Sequence, residues 1–111
     1  VELCLQSQGR DLVVLITGGE AHVGAVAGCD GRPGAAPGIG QDGVVQLPGH
    51  REGPLAAEAA ATLARAFACS CAAVVGIHQD EATADEIRAI VANVRRGLQR
   101  LTGAEATKVE T

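Results

Sequence analysis

The stretch AAVVGIHQDEATADEIRAIVANVRRGLQRL, residues 72–101, decides how this chain is read. Its first six residues, Ala72–Ile77, are all apolar or glycine and rich in β-branched side chains, which marks a buried strand. Thr83 and Glu86 follow with the T-x-x-E spacing of a capping box: the threonine hydroxyl accepts from the Glu86 N–H while the carboxylate reaches back. Asp85 and Glu86 complement the positive end of the helix dipole that this cap begins. Ile87, Ile90, Val91, Val94, Leu98 and Leu101 then recur at helical spacing, with Arg88, Arg95, Arg96 and Gln99 on the other face. Gly103 suits a helix end, and residues 104–111 are polar, lack periodicity and read as a disordered tail.

Working outward, Asp11–Thr17 holds a second apolar run, Leu12-Val13-Val14-Leu15-Ile16, that reads as a strand buried on both faces. Val1–Gln6 reads as a strand that has lost its beginning, and Ser7–Arg10 as a turn. Gly18-Gly19 ends the second strand, and His22–Ala27 is a short strand expected to form a hairpin with it. Gly28–Asp42, with five glycines and two prolines, reads as a flexible loop. Gly43–Leu47 is a further strand, stopped by Pro48-Gly49. Pro54 opens a helix carrying Leu55, Ala59, Leu63, Ala66 and Phe67 on its inner side, with Glu58 and Arg65 on its wet side.

The order ββββαβα predicts an α+β fold, an α/β two-layer sandwich: a mixed sheet of about five strands with two helices on one face, in a single domain over residues 1–103. Two strands read as doubly buried, yet only one sheet face has helices to cover it. That mismatch points to a homodimer or higher oligomer in which sheets or edges meet. It also leaves open a structural assembly subunit that docks its apolar face onto a larger complex.

Composition narrows the chemistry. Phe67 is the only aromatic residue, so Ala, Val, Leu and Ile must fill the core, and the 15 glycines allow backbones to approach closely. The net charge is −4, the one basic cluster is Arg95-Arg96-Arg100 on the last helix, and there is no aromatic platform for base stacking, which together argue against nucleic acid as a partner. No apolar run reaches membrane-spanning length. The four cysteines, at 4, 29, 69 and 71, read as reduced thiols of a cytoplasmic protein, mostly small buried hydrophobes.

The three histidines, His22, His50 and His78, each lie at or just beyond a strand end. Glycine beside a polar group at such a place lets backbone N–H groups close on an anion. Thr17-Gly18-Gly19 precede His22. Pro48-Gly49-His50-Arg51-Glu52 runs into a helix N-terminus, with Arg51 supplying a fork suited to phosphate. Asp80 follows His78. The candidate cofactor-binding residues are therefore Thr17, Gly18, Gly19, His22, Pro48, Gly49, His50, Arg51, Glu52, His78 and Asp80. Three histidines and a carboxylate suit a divalent metal as well, but no H-x-H pair fixes the ligands, so a metal on His22, His50 and His78 ranks below an anion. No nucleophile elbow or phosphate loop occurs, and no catalytic residue is assigned. The chain reads as a cofactor-binding or accessory protein ahead of a small metal-dependent enzyme.

Three segments taken together, Ile16-Thr17-Gly18-Gly19…His22-Val23-Gly24-Ala25-Val26-Ala27, Leu47-Pro48-Gly49-His50-Arg51-Glu52 and Val74-Val75-Gly76-Ile77-His78-Gln79-Asp80…Thr83…Glu86-Ile87…Ile90-Val91…Asn93, resemble the prenylated-flavin chaperone-like domain family named for a gallate decarboxylase accessory subunit. The likeness covers roughly residues 11–98. It implies a small protein that binds reduced prenylated FMN, or FMN, shields it from oxidation and passes it to a UbiD-like decarboxylase. On this chain it implies phosphate contact at Gly18, Gly19, Gly49 or Arg51, with the three histidines bordering the ring or the phosphate.

Overall fold

The computed structural model describes residues 1–34, 43–78 and 81–103. The strands are β1 (Glu2–Gln8), β2 (Asp11–Gly19), β3 (Ala25–Asp30), β4 (Val44–Gln46) and β5 (Ser70–His78). The helices are α1 (Gly53–Phe67) and α2 (Ala84–Thr102). One mixed sheet has the order β1-β2-β5-β3-β4. β2 runs parallel to β5, and every other neighbouring pair is antiparallel. This is the α+β arrangement expected from the element order. The fold reading of residues 35–42, 79–80 and 104–111 lies outside the described residues.

β1 and β2 form a hairpin across Gly9-Arg10, with Gln8 opposite Asp11. The expected β2–β3 hairpin does not form. β3 pairs instead with β5, Ala25 opposite Val75 and Cys29 opposite Cys71, so β5 lies between them. The reason is the length of the link. Residues 20–24 are enough to cross the end of one strand, about 10 Å between β2 and β3 given the spacing of neighbouring strands. The crossing places an apolar strand on each side of β5. His22–Gly24 are that crossing segment rather than the start of a strand, and β3 runs on through Gly28, Cys29 and Asp30, which the sequence reading gave to a loop.

Alternation along the central strands sets the layers. Leu12, Val14 and Ile16 of β2, Cys71, Ala73 and Val75 of β5, and Ala25, Ala27 and Cys29 of β3 are buried towards the helices. Val13, Leu15, Ala72, Val74 and Val26 point the other way and are only half-buried. Among the described residues, β2 and β5 are therefore covered on one face, not two. Continuous apolar runs cannot tell these cases apart, because side-chain type reports what a face is suited to meet and not whether anything meets it.

Both helices pack on the same face. α1 lies over β3, β5, β4 and β2, while α2 lies against α1 and β1. α1 meets the sheet through Ala56, Ala59, Ala60, Leu63 and Ala64, all fully buried. Ala66, read as an inner residue, is exposed. Alanine has no preference strong enough to choose a face, so the helix orientation follows Leu63. In α2, Val94 and Leu98 are buried, but Ile87 is 48% exposed. The Thr83–Glu86 capping box is present in both directions, at 3.1 and 3.2 Å. Arg95 of α2 makes two hydrogen bonds, 2.8 and 2.9 Å, to the Glu58 carboxylate of α1, and these bonds hold that carboxyl below its ordinary range.

Three of the four thiols are buried and all are free. Burial, with the neighbouring Cys69 and Cys29, pushes the Cys71 thiol up to about 12; burial also raises Cys69. The thiolate is the reactive form, so iodoacetamide at neutral pH should label Cys4 first and leave Cys71 unmodified until the protein unfolds. Peptide mapping by mass spectrometry reads this directly. Labelling of Cys71 at the rate of Cys4 in the folded state would contradict the packing described.

Candidate functional site

Parallel pairing of β2 and β5 puts their C-terminal ends side by side, Gly19 opposite His78. At that same end β3 begins and β4 finishes, Ala25 opposite Gln46. The link into β3, the link from β4 to α1 and the exit of β5 are therefore neighbours. This is the edge of an α/β sheet where ligands are commonly accommodated.

Two glycines permit the convergence. A Cβ on Gly76 would stand 1.6 Å from the His22 carbonyl oxygen, so the segment carrying His22 passes over bare backbone of β5. A Cβ on Gly24 would stand 1.7 Å from Glu52 Oε2, so Gly24 makes the space in which that carboxylate lies. The crossing segment is pinned by Gly24 N–H to Val75 O, 2.9 Å, and by Leu47 N–H to Gly24 O, 2.9 Å.

His22 Nε2 lies 3.2 Å from Glu52 Oε2, and His50 Nδ1 lies 3.7 Å from Glu52 Oε1. The His22 and His50 rings are 4.8 Å apart between centroids, and the edge of His78 meets His22 at 5.9 Å. His22 Nδ1 is 3.0 Å from the Glu20 carbonyl oxygen. A carbonyl only accepts, so Nδ1 carries the proton. The Glu52 side chain is 14% exposed, and its Oε1 also accepts from the Arg51 N–H at 3.0 Å.

Among the other candidates, Thr17 and Gly18 are half-buried at the end of β2, while Gly19, Pro48, Gly49 and Arg51 are exposed. His78 is exposed and Asp80 lies outside the described residues. The start of α1 offers an anion less than its sequence promised. Gly53 N–H donates to Gln46 Oε1 at 2.8 Å, Pro54 has no N–H, and Ala56 N–H bonds Glu52 O. The donors of the first turn are largely spent within the chain. Gln46 in this capping role carried no signal in the sequence, because it acts on the helix from the end of β4, across the link between them.

A model of one protein family, the prenylated flavin chaperone LpdD-like domain, matches residues 1–105. The chain belongs to this family. The match spans all the described elements, and the role that goes with it is prenylated-flavin chaperone-like in general terms. The search of curated proteins finds no match. In this LpdD-like chain the histidine cluster stands beside the open sheet face, where Leu15 and Val74 are cross-strand partners. No described helix is long and apolar enough to cross a membrane. Gly24 and Gly76 were the site residues that sequence reasoning passed over; glycine inside a strand pattern is the general sign of a close approach, and both carry it.

Proposed function

We propose that this LpdD-like protein binds reduced prenylated FMN at the sheet end where His22, His50, Glu52 and His78 gather, and delivers it to a UbiD-like decarboxylase. The observation that supports the reading best is the meeting of three sequence-distant segments beside an aliphatic sheet face. Thr17, Gly18 and Gly19 border the same end. The exposed Arg51 side chain and the Gly49 N–H supply donors for a phosphate, and Leu15 and Val74 supply a flat apolar surface for the ring. No aromatic side chain is needed for this, since ligand pockets are walled chiefly by apolar groups with a few polar anchors.

A flavin held on one open face would stay largely wet, and oxygen would reach it. The proposal therefore includes a second copy of the chain closing over that face, formed by Val13, Leu15, Val26, Ala72 and Val74. Anaerobic mixing with reduced prenylated FMN, followed by desalting and absorbance, should retain about one flavin per chain on the wild type. The His50→Ala, Arg51→Ala double variant should retain at least tenfold less, on the scale of losing a charge-assisted hydrogen bond. Equal retention by the two proteins, or none by either, would overturn the assignment.

A further inference from the structure

We infer that His22, His50 and Glu52 form a binding site for a divalent transition ion, zinc or a close relative in coordination preference. The inference stands apart from flavin binding and needs no bound flavin for its test. Its starting point is a mismatch in hydrogen bonding. His22 commits its Nδ1 proton to the Glu20 carbonyl, 3.0 Å away. In the neutral ring Nε2 is then a bare lone pair, and 3.2 Å in front of it lies a carboxylate oxygen, which also only accepts. Two acceptors at that distance require a cation between them, either a proton or a metal.

The 3.2 Å gap suits a proton or a metal, but the 3.7 Å between His50 Nδ1 and Glu52 Oε1 is too long for a hydrogen bond and leaves room for an ion that all three side chains share. The three ligand atoms, one from each residue, lie within 4.8 Å of one another. Around a tetrahedral ion with bonds of about 2.0–2.2 Å, ligand atoms stand about 3.4 Å apart. The separations from Glu52 lie on either side of that value, 3.2 Å from Oε2 to His22 and 3.7 Å from Oε1 to His50, so each carboxylate oxygen faces one imidazole and either can serve as the ligand atom. The Glu20 carbonyl holds the His22 ring by its far nitrogen, the way an outer partner orients a metal-ligating imidazole. All three side chains are partly buried, 24%, 32% and 14% exposed, so the charge of Glu52 is poorly hydrated but still reachable by an ion.

Two imidazoles and one carboxylate leave at least one coordination position open, to be filled by water or by an anionic oxygen such as that of a phosphate. Nitrogen and oxygen donors without thiolate select zinc, cobalt, manganese or iron over copper(I). The cysteines do not compete: none of the four belongs to the ligand cluster, and Cys29 and Cys71 pair at the end of β3 and β5 away from the histidines.

The test uses the chelator-treated full chain without a histidine tag, titrated with Zn2+ by calorimetry and with Co2+ by visible absorption, no flavin present. Wild type should take up one equivalent and give the ligand-field bands of a nitrogen- and oxygen-bound cobalt ion. His22→Ala, His50→Ala and Glu52→Gln should each weaken binding about 100-fold or more, while Cys4→Ser should leave it unchanged. Circular dichroism of each variant checks that it folds. Absence of uptake by the wild type overturns the site. So does affinity unaltered in a folded Glu52→Gln protein, or a sulfur-to-cobalt charge-transfer band that vanishes in Cys4→Ser.

Discussion

Replacing Gly76 with alanine should destabilise the fold by roughly 3 kcal/mol and dismantle the histidine cluster in the same step. The added methyl would meet the His22 carbonyl oxygen at 1.6 Å and its carbonyl carbon at 2.4 Å. Both are backbone atoms, and the segment that carries them is fixed at each side, by the pairing of Gly19 with His78 and by the Gly24 bond to Val75. No rotamer change can relieve the clash, so the segment must lift from β5 and carry the His22 ring away from Glu52. Gly28→Ala is the matching control: Gly28 is also a glycine within a sheet strand, but a Cβ there has nothing within 4 Å. It should be neutral or raise stability by about 0.5 kcal/mol, through a less flexible unfolded chain. Urea unfolding followed by far-ultraviolet circular dichroism separates the two. Equal midpoints would mean that residues 20–24 do not cross β5 where they are described.

Leu63→Ala should cost about 3–5 kcal/mol, a large share of the 5–15 kcal/mol by which a domain of this size is stable. Leu63 is fully buried and is the largest side chain that α1 contributes to the sealed core. On its own helix the fully buried residues are Ala56, Ala59, Ala60 and Ala64, which have no length with which to fill a cavity. Across the interface stand Val14, Ile16 and Val75, whose branching at Cβ leaves few alternative rotamers. The cavity therefore stays open, and the cost falls towards the upper part of the range for such truncations. Val45→Ala, at a side chain 59% exposed, should change stability by less than about 0.5 kcal/mol. A fall in thermal midpoint of well over 10 °C for Leu63→Ala is the expected reading. A fall similar to that of Val45→Ala would show that α1 does not seat on the sheet through this residue.

The two substitutions act at different levels of the architecture. Leu63 belongs to a pattern any helix shows, apolar groups at turns of the helix. Gly76 belongs to a contact between segments more than fifty residues apart, and its neighbours in sequence, Val75 and Ile77, say only that a strand passes there. The same contrast runs through the site. Gly49, His50 and Arg51 stand out as loop chemistry before a helix, whereas Gln46 capping Gly53 and Gly24 making room for Glu52 are effects of neighbours brought in by the fold.

What the sequence by itself determined is the set of elements and their order: five strands, two helices, the Thr83–Glu86 cap, the α+β class and the likeness to the prenylated flavin chaperones. These follow from period, capping chemistry and motifs, which are encoded within a few residues of one another. Only the tertiary structure decided that β3 pairs with β5 instead of β2, that the described residues cover the apolar strands on one face alone, and that His22 and His50 share the carboxylate of Glu52. Strand pairing is settled by competition among all the apolar strands for burial, and a side chain's partner across space is fixed only after that competition has ended; neither is a property of any local stretch of chain.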